Sequence, residues 1–162
     1  MDEKYQNRCL KRLNELNAPK DGWECARIEE YESLTTCGLC GCAQVRYLHI
    51  MCHAEYAGAI GVGCVCAGIM EGDELAARQR DNEARNRSQR RLRFISKGWK
   101  ESHGAYTRKY HGNVYRIIHD QGQYAVFYKG KWCWKCQGKP MTSFAQAATA
   151  AFYAYEKEHV NA

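Results

Sequence analysis

The sequence predicts an α+β protein: a treble-clef-like zinc finger, a long basic helix, and a three-stranded antiparallel sheet packed on a C-terminal helix. Three observations carry this. Six of the ten cysteines fall between residues 37 and 66, starting with the knuckle-like Cys37-Gly-Leu-Cys40-Gly. Seven arginines crowd into the sixteen residues from Arg78 to Arg93. After Gly104 the hydrophobic pattern changes from a helical period to a period of two. The implied organisation is an N-terminal helix and strand over 1–36, a finger over 37–77, a connecting basic helix over 78–101 and a sheet-plus-helix module over 102–162.

Residues 4–17 place Tyr5, Cys9, Leu10, Leu13 and Leu16 three and four apart, which predicts a short amphipathic helix ended near Pro19 and Gly22. Residues 23–31 read as a strand, with Trp23 packing on the finger. Cys9 and Cys25 have no ligand-like neighbours in sequence and read as buried structural thiols. In Cys37-Gly-Leu-Cys40-Gly the glycines permit the tight turn that aims two thiolates at one ion. A hairpin follows, with strands at about 43–51 and 57–63, and then Cys64-Val-Cys66. Knuckle, hairpin and a helix start bearing the second ligand pair is the order of a treble clef. The expected Zn2+ ligands are therefore Cys37, Cys40, Cys64 and Cys66. His49, Cys52 and His53 are spare donors that could replace one of them.

From Ala67 the pattern turns helical and runs to about Glu101. Met70, Ala77, Ala84, Ser88, Leu92, Ile95 and Trp99 form its seam, with Asp73 and Glu74 in an early turn, where the helix dipole favours acids. Arg80, Arg87 and Arg91 flank the seam on one side, and Arg78, Arg85 and Arg93 on the other. Three strands follow at 113–120, 123–129 and 131–137, with Gly122 and Gly130 in the turns between them and a weaker strand at 105–110. A last helix begins at Thr142 or Ser143 and runs to about His159, its apolar face made by Phe144, Ala147, Ala148, Ala151, Phe152 and Tyr155. Cys133 and Cys136 lie three apart on a strand, so they point to opposite faces unless the strand bends.

Charge divides the chain. Residues 1–36 and 37–77 carry net charges of −2 and −3, whereas 78–101 and 102–162 carry +6 and +5. A strongly basic second half suits a polyanionic partner, nucleic acid, with DNA favoured over RNA. The candidate contacts are Arg80, Arg85, Arg87, Arg90, Arg91, Arg93, Lys97, Lys129, Lys131 and Lys135. The sheet face adds aromatics drawn from Tyr115, Tyr124, Tyr128, Trp132 and Trp134 beside Arg116. No apolar run reaches eighteen residues and the N-terminus has no apolar signal core, so a cytoplasmic location without a membrane is expected, where thiols stay reduced and favour metal.

The stretch carrying CGLCG (37–41), RYLH (46–49), His53 with Tyr56, VGCVCAGIMEGD (62–73), NRSQRR (86–91), GWKES (98–102) and GN (112–113) resembles an uncharacterised zinc-finger family of bacteria and their phages. That resemblance implies a phage or mobile-element domain and no particular activity. The C-terminal part looks like the sheet-and-helix DNA-binding modules of phage integrases and, more loosely, a double-stranded-RNA-binding domain, although only Lys139 stands where the latter carries a lysine cluster.

The expected function is thus a zinc-stabilised nucleic-acid-binding protein that contacts phosphates through its Arg-rich helix. A protein-binding inhibitor or adaptor, such as a phage counter-defence protein, is the alternative. A treble-clef nuclease is a second: His49, His53 and Glu55 are its only nearby groups and the usual Asp-His pair is missing, so a non-enzymatic role is favoured.

Overall fold

The structure is a computed structural model that describes residues 2–159. Four helices and antiparallel sheets make it α+β, and the chain divides into two compact units, 1–87 and 88–162.

In the first unit, helix α1 (Glu3–Glu15) is capped by Asp2, whose side chain accepts from the Lys4 N–H at 3.0 Å. Its buried stripe is Cys9 and Leu13, with Tyr5 one turn earlier. Strands β1 (Glu24–Thr36), β2 (Gln44–His53) and β3 (Tyr56–Val62) form a sheet in that order. The register sets Met51 opposite Ile60 and His49 opposite Val62. Met51, Ile60 and Val62 join Cys9, Leu13, Trp23, Cys37, Cys66 and Met70 in one core. Residues 1–36 and 37–77 therefore share a single core. Trp23, expected to pack on the finger, is 2% exposed and donates from its indole to the Pro19 carbonyl at 2.8 Å.

Two helices replace the expected single helix from Ala67. Helix α2 (Cys64–Glu71) ends at Gly72, whose φ of 73° gives it the left-handed conformation that terminates helices. Asp73 then caps α3 (Glu74–Ser96) by accepting from the Ala76 N–H at 3.0 Å. Gly-Asp is a stop followed by a start, which outweighs the continuity of the apolar pattern. Ala77 and Ser88 of the expected seam are buried, together with Asp81 and Phe94, whereas Leu92 is 58% exposed.

The second unit is a five-stranded meander, β4 (Lys100–Ser102), β5 (Ala105–Tyr110), β6 (Asn113–Asp120), β7 (Gln123–Tyr128) and β8 (Lys131–Cys133), in sequence order. Sequence reading foresaw three strands and a weaker fourth. It missed β4 and ran the last strand too far. Each turn is a residue–Gly pair with both φ positive, as in His111-Gly112 at 48° and 78°. That is the type I′ geometry that matches the twist of paired strands. At Trp134 the chain leaves the sheet and forms a two-stranded ladder of β9 (Lys135–Cys136) and β10 (Lys139–Pro140). Helix α4 (Phe144–His159) starts as expected, the Ser143 hydroxyl accepting from the Gln146 N–H at 3.2 Å. Ala147, Ala148, Ala151 and Phe152 pack on Phe94, Tyr115, Ile117 and Val126.

Candidate metal centre

Three of the four expected thiolates converge. The Sγ atoms of Cys37, Cys40 and Cys66 lie within 4.8 Å of one another, a group that could hold a metal ion. The knuckle supplies two of them. Gly41, with φ at 69°, provides the left-handed turn. Gly38 serves differently: its N–H donates to the Gly61 carbonyl at 2.8 Å, pressing the knuckle against β3 with no room for a side chain. The third comes from the first turn of α2.

Backbone donors point at these sulfurs. The Gly63 N–H reaches Cys37 Sγ and the Ala43 N–H reaches Cys40 Sγ, both at 3.4 Å. The Tyr5 hydroxyl lies 3.0 Å from Cys66 Sγ. The hydrogen bond from Cys66, together with backbone N–H groups, lowers the Cys37 pKa to about 5 against the opposing effect of burial. Burial works against the Cys40 thiolate, but hydrogen bonds from Tyr5 and from backbone N–H groups outweigh it and lower its pKa. Cys66, donor to Cys37 and itself buried, is raised. The backbone N–H groups aimed at Cys37 and Cys40 favour their thiolates, the form that binds metal.

Cys64 does not join this group. The helix starts at Cys64 rather than Ala67, and residues two apart on a helix point about 200° from each other. Cys66 faces the knuckle, so Cys64 faces away. The spare donors stand elsewhere too, Cys52 paired with Ala59 across the β2–β3 hairpin and outside the group. The His53 ring packs on Trp23 at 5.4 Å and its Nδ1 accepts from the Glu55 N–H at 3.0 Å. His49 is fully buried, with Nε2 3.3 Å from Asp81 Oδ1. Burial lowers its pKa despite the opposing influence of Asp81. Asp81 also accepts from Arg85 Nε at 2.8 Å.

Cys9, expected as a buried structural thiol, is where the sequence reading stopped short of the structure. It is fully buried on α1, and its Sγ lies 3.8 Å from that of Cys66. Tyr5, Cys9 and Leu13 form an i, i+4, i+8 stripe, which signals burial of Cys9, while its place beside Cys66 depends on the shared core.

The basic residues are partly committed within the protein. Arg80 grips Glu71 with two hydrogen bonds, at 2.7 and 3.0 Å. Arg78 pairs with Glu74 at 2.6 Å, Arg90 with Glu156 at 3.3 Å, and Lys129 with Glu158 at 2.6 Å. Arg91 reaches Ser88 at 3.5 Å. Arg87, Arg93, Lys97, Lys131 and Lys135 are exposed.

The sheet aromatics divide by face. Tyr115 is fully buried, and Tyr124 and Tyr128 pack against the core beneath α4. On the opposite face, Lys100, Thr107, Arg116, Phe127 and Trp132 stand directly across from one another in a row that crosses all five strands. Trp132 lies 4.8 Å from Phe127 and 6.4 Å from Trp134, centroid to centroid. Trp132 and Trp134 are 46% and 40% exposed.

No helix among the described residues is long and apolar enough to cross a membrane. Comparison with protein-family models, curated proteins and solved structures gives no match.

Proposed function

We propose that the chain is a nucleic-acid-binding protein in which structural Zn2+ holds the N-terminal unit and the outer sheet face of the C-terminal unit binds the strand. The knuckle, the hairpin and a helix start bearing Cys66 follow treble-clef order. A thiolate cluster in a buried core favours zinc in a structural role.

The row Lys100–Thr107–Arg116–Phe127–Trp132 is the observation that carries the nucleic-acid reading. Lysine and arginine suit phosphates, and neighbouring exposed rings suit unstacked bases, a combination that favours a single strand laid across the sheet. Arg93, Lys97, Lys131 and Lys135 are exposed on the same unit and add to its positive charge. The helix arginines held by Glu71, Glu74, Asp81 and Glu156 would have to give up those partners to reach phosphate, so their contribution is secondary to that of the sheet.

The test is fluorescence anisotropy with labelled single-stranded DNA, single-stranded RNA and duplex DNA over a salt series. Stacking contributes about 1–3 kcal/mol per base, so Trp132→Ala should weaken single-strand binding about 5- to 150-fold. Arg116→Ala should make the salt dependence shallower, by roughly one unit of slope. Absence of binding to every probe at low salt would overturn the proposal and leave the face as a protein interface.

A further inference from the structure

The geometry points to Cys9, not Cys64, as the fourth ligand of the metal centre, giving an all-thiolate site of Cys9, Cys37, Cys40 and Cys66 that clasps three distant chain segments. This rests on the reading of the N-terminal unit as zinc-binding.

Distance is the first argument. Zinc–thiolate bonds of about 2.3 Å in a tetrahedron put neighbouring sulfurs about 3.8 Å apart. Cys9 Sγ and Cys66 Sγ are 3.8 Å apart. Cys9 Sγ stands outside the trio of Cys37, Cys40 and Cys66, whose sulfurs all lie within 4.8 Å of one another, so the Cys9 side chain turns toward the trio to close the tetrahedron. Burial is the second. Cys9 and Cys37 are fully buried and Cys66 is 1% exposed, so these sulfurs share one water-excluded core with Tyr5 at its edge. Elimination is the third. The helix start turns Cys64 away, His53 is engaged by Trp23 and the Glu55 N–H, His49 by Asp81 and Cys25 by the Arg27 carbonyl. Cys52 alternates on β2 with the core residue Met51, and the exposed Cys42 takes the Arg8 guanidinium at 3.6 Å.

Four thiolates around Zn2+ carry a net charge of −2, which a buried site must offset with donors. The Gly63 and Ala43 N–H groups and the Tyr5 hydroxyl stand where such donors belong. Tyr5 and Cys9 lie one turn apart on α1, so one helix would deliver a ligand and the donor that steadies another. In a knuckle-and-helix finger with two ligand pairs, the segment before the knuckle is dispensable to the metal. Here α1 is part of the coordination shell, and zinc binding and docking of α1 become one event.

X-ray absorption on the zinc-loaded full-length chain counts the sulfurs, and Co2+ substitution provides a second optical readout. The wild type should show four sulfurs. The Cys42→Ser/Cys64→Ser double variant should keep all four. Cys9→His should change the shell to three sulfurs and one nitrogen, with a matching shift of the Co2+ ligand-field bands. Loss of one sulfur in the double variant, or a wild-type shell of three sulfurs and one nitrogen or oxygen, would overturn the assignment of Cys9 while leaving the zinc reading intact. If Cys9→His does not fold, a double variant extended by Cys25→Ser and Cys52→Ser decides: four sulfurs retained leaves only Cys9 beside Cys37, Cys40 and Cys66 in the first unit, and three overturns the assignment. Failure of the wild type to bind zinc or Co2+ would overturn both.

Discussion

Gly38→Ala is the sharpest test of how the knuckle is built. A Cβ at this position would sit 2.8 Å from the Gly61 carbonyl oxygen and 3.4 Å from Ile60 Cγ2. The first of these is backbone near the end of β3 and has no rotamer to change. Ordinary contact begins near 3.4 Å, so the knuckle and β3 must separate by about 0.6 Å. A zinc site needs ligand distances within about 0.2 Å, so on the proposed zinc reading the movement disturbs the metal. The strain costs about 1–3 kcal/mol, and weakening of the Gly38 N–H bond to Gly61 about 1 kcal/mol more. In a unit of this size each kcal/mol lowers Tm by about 4–8 °C, so the first transition should fall by about 10 °C or more, with zinc more easily taken by a chelator. Gly41→Ala is the control. Nothing lies within 4 Å of its Cβ, and only the left-handed backbone is penalised, by about 1–2 kcal/mol. Calorimetry and chelator competition on both variants give the answer. If Gly38→Ala matches the wild type, or suffers less than Gly41→Ala, the close approach of knuckle and β3 does not hold the site.

Four further outcomes are expected. Tyr5→Phe removes the hydroxyl beside Cys66 Sγ and should lower zinc affinity about 10- to 100-fold in chelator competition without unfolding the chain. Asp73→Ala deletes the cap of α3 and should cost about 1 kcal/mol in urea titration, whereas Asp73→Asn should cost much less. The folded His49 has a lowered pKa, so below its ordinary value of about 6.5 the unfolded chain binds a proton that the folded chain resists. Stability present at neutral pH is therefore lost as pH falls through that range, and His49→Gln should flatten this part of the urea midpoint–pH curve. Phe152→Ala empties a fully buried position and should destabilise the C-terminal unit by about 3–5 kcal/mol, leaving zinc binding unchanged.

Much of this architecture was legible in local chemistry. Cys37-Gly-Leu-Cys40-Gly, the alternation over 113–128 and the Ser143 start of α4 each depend on neighbours in sequence, and each appears in the fold. What sequence hid depended on helix phase or on distant packing. Cys64 and Cys66 read as a pair because they are close in sequence, yet a helix that begins at Cys64 separates them by more than half a turn. Cys9 lies far from the knuckle in sequence, and only the shared core brings it to Cys66. The expected seam of α3 holds at Ala77 and Ser88 but fails at Leu92, because the last turns of the helix belong to a second core that takes Phe94 instead. The row across the outer sheet face needed the register of all five strands, and β4 is only three residues long.

The double variant Cys37→Ser/Cys40→Ser, followed by native mass spectrometry and calorimetry beside the wild type, tests the central claim most directly. The account predicts one zinc per wild-type chain and none in the variant, with loss of the cooperative transition of the first unit. A variant that carries no metal and still unfolds cooperatively through both units would contradict it.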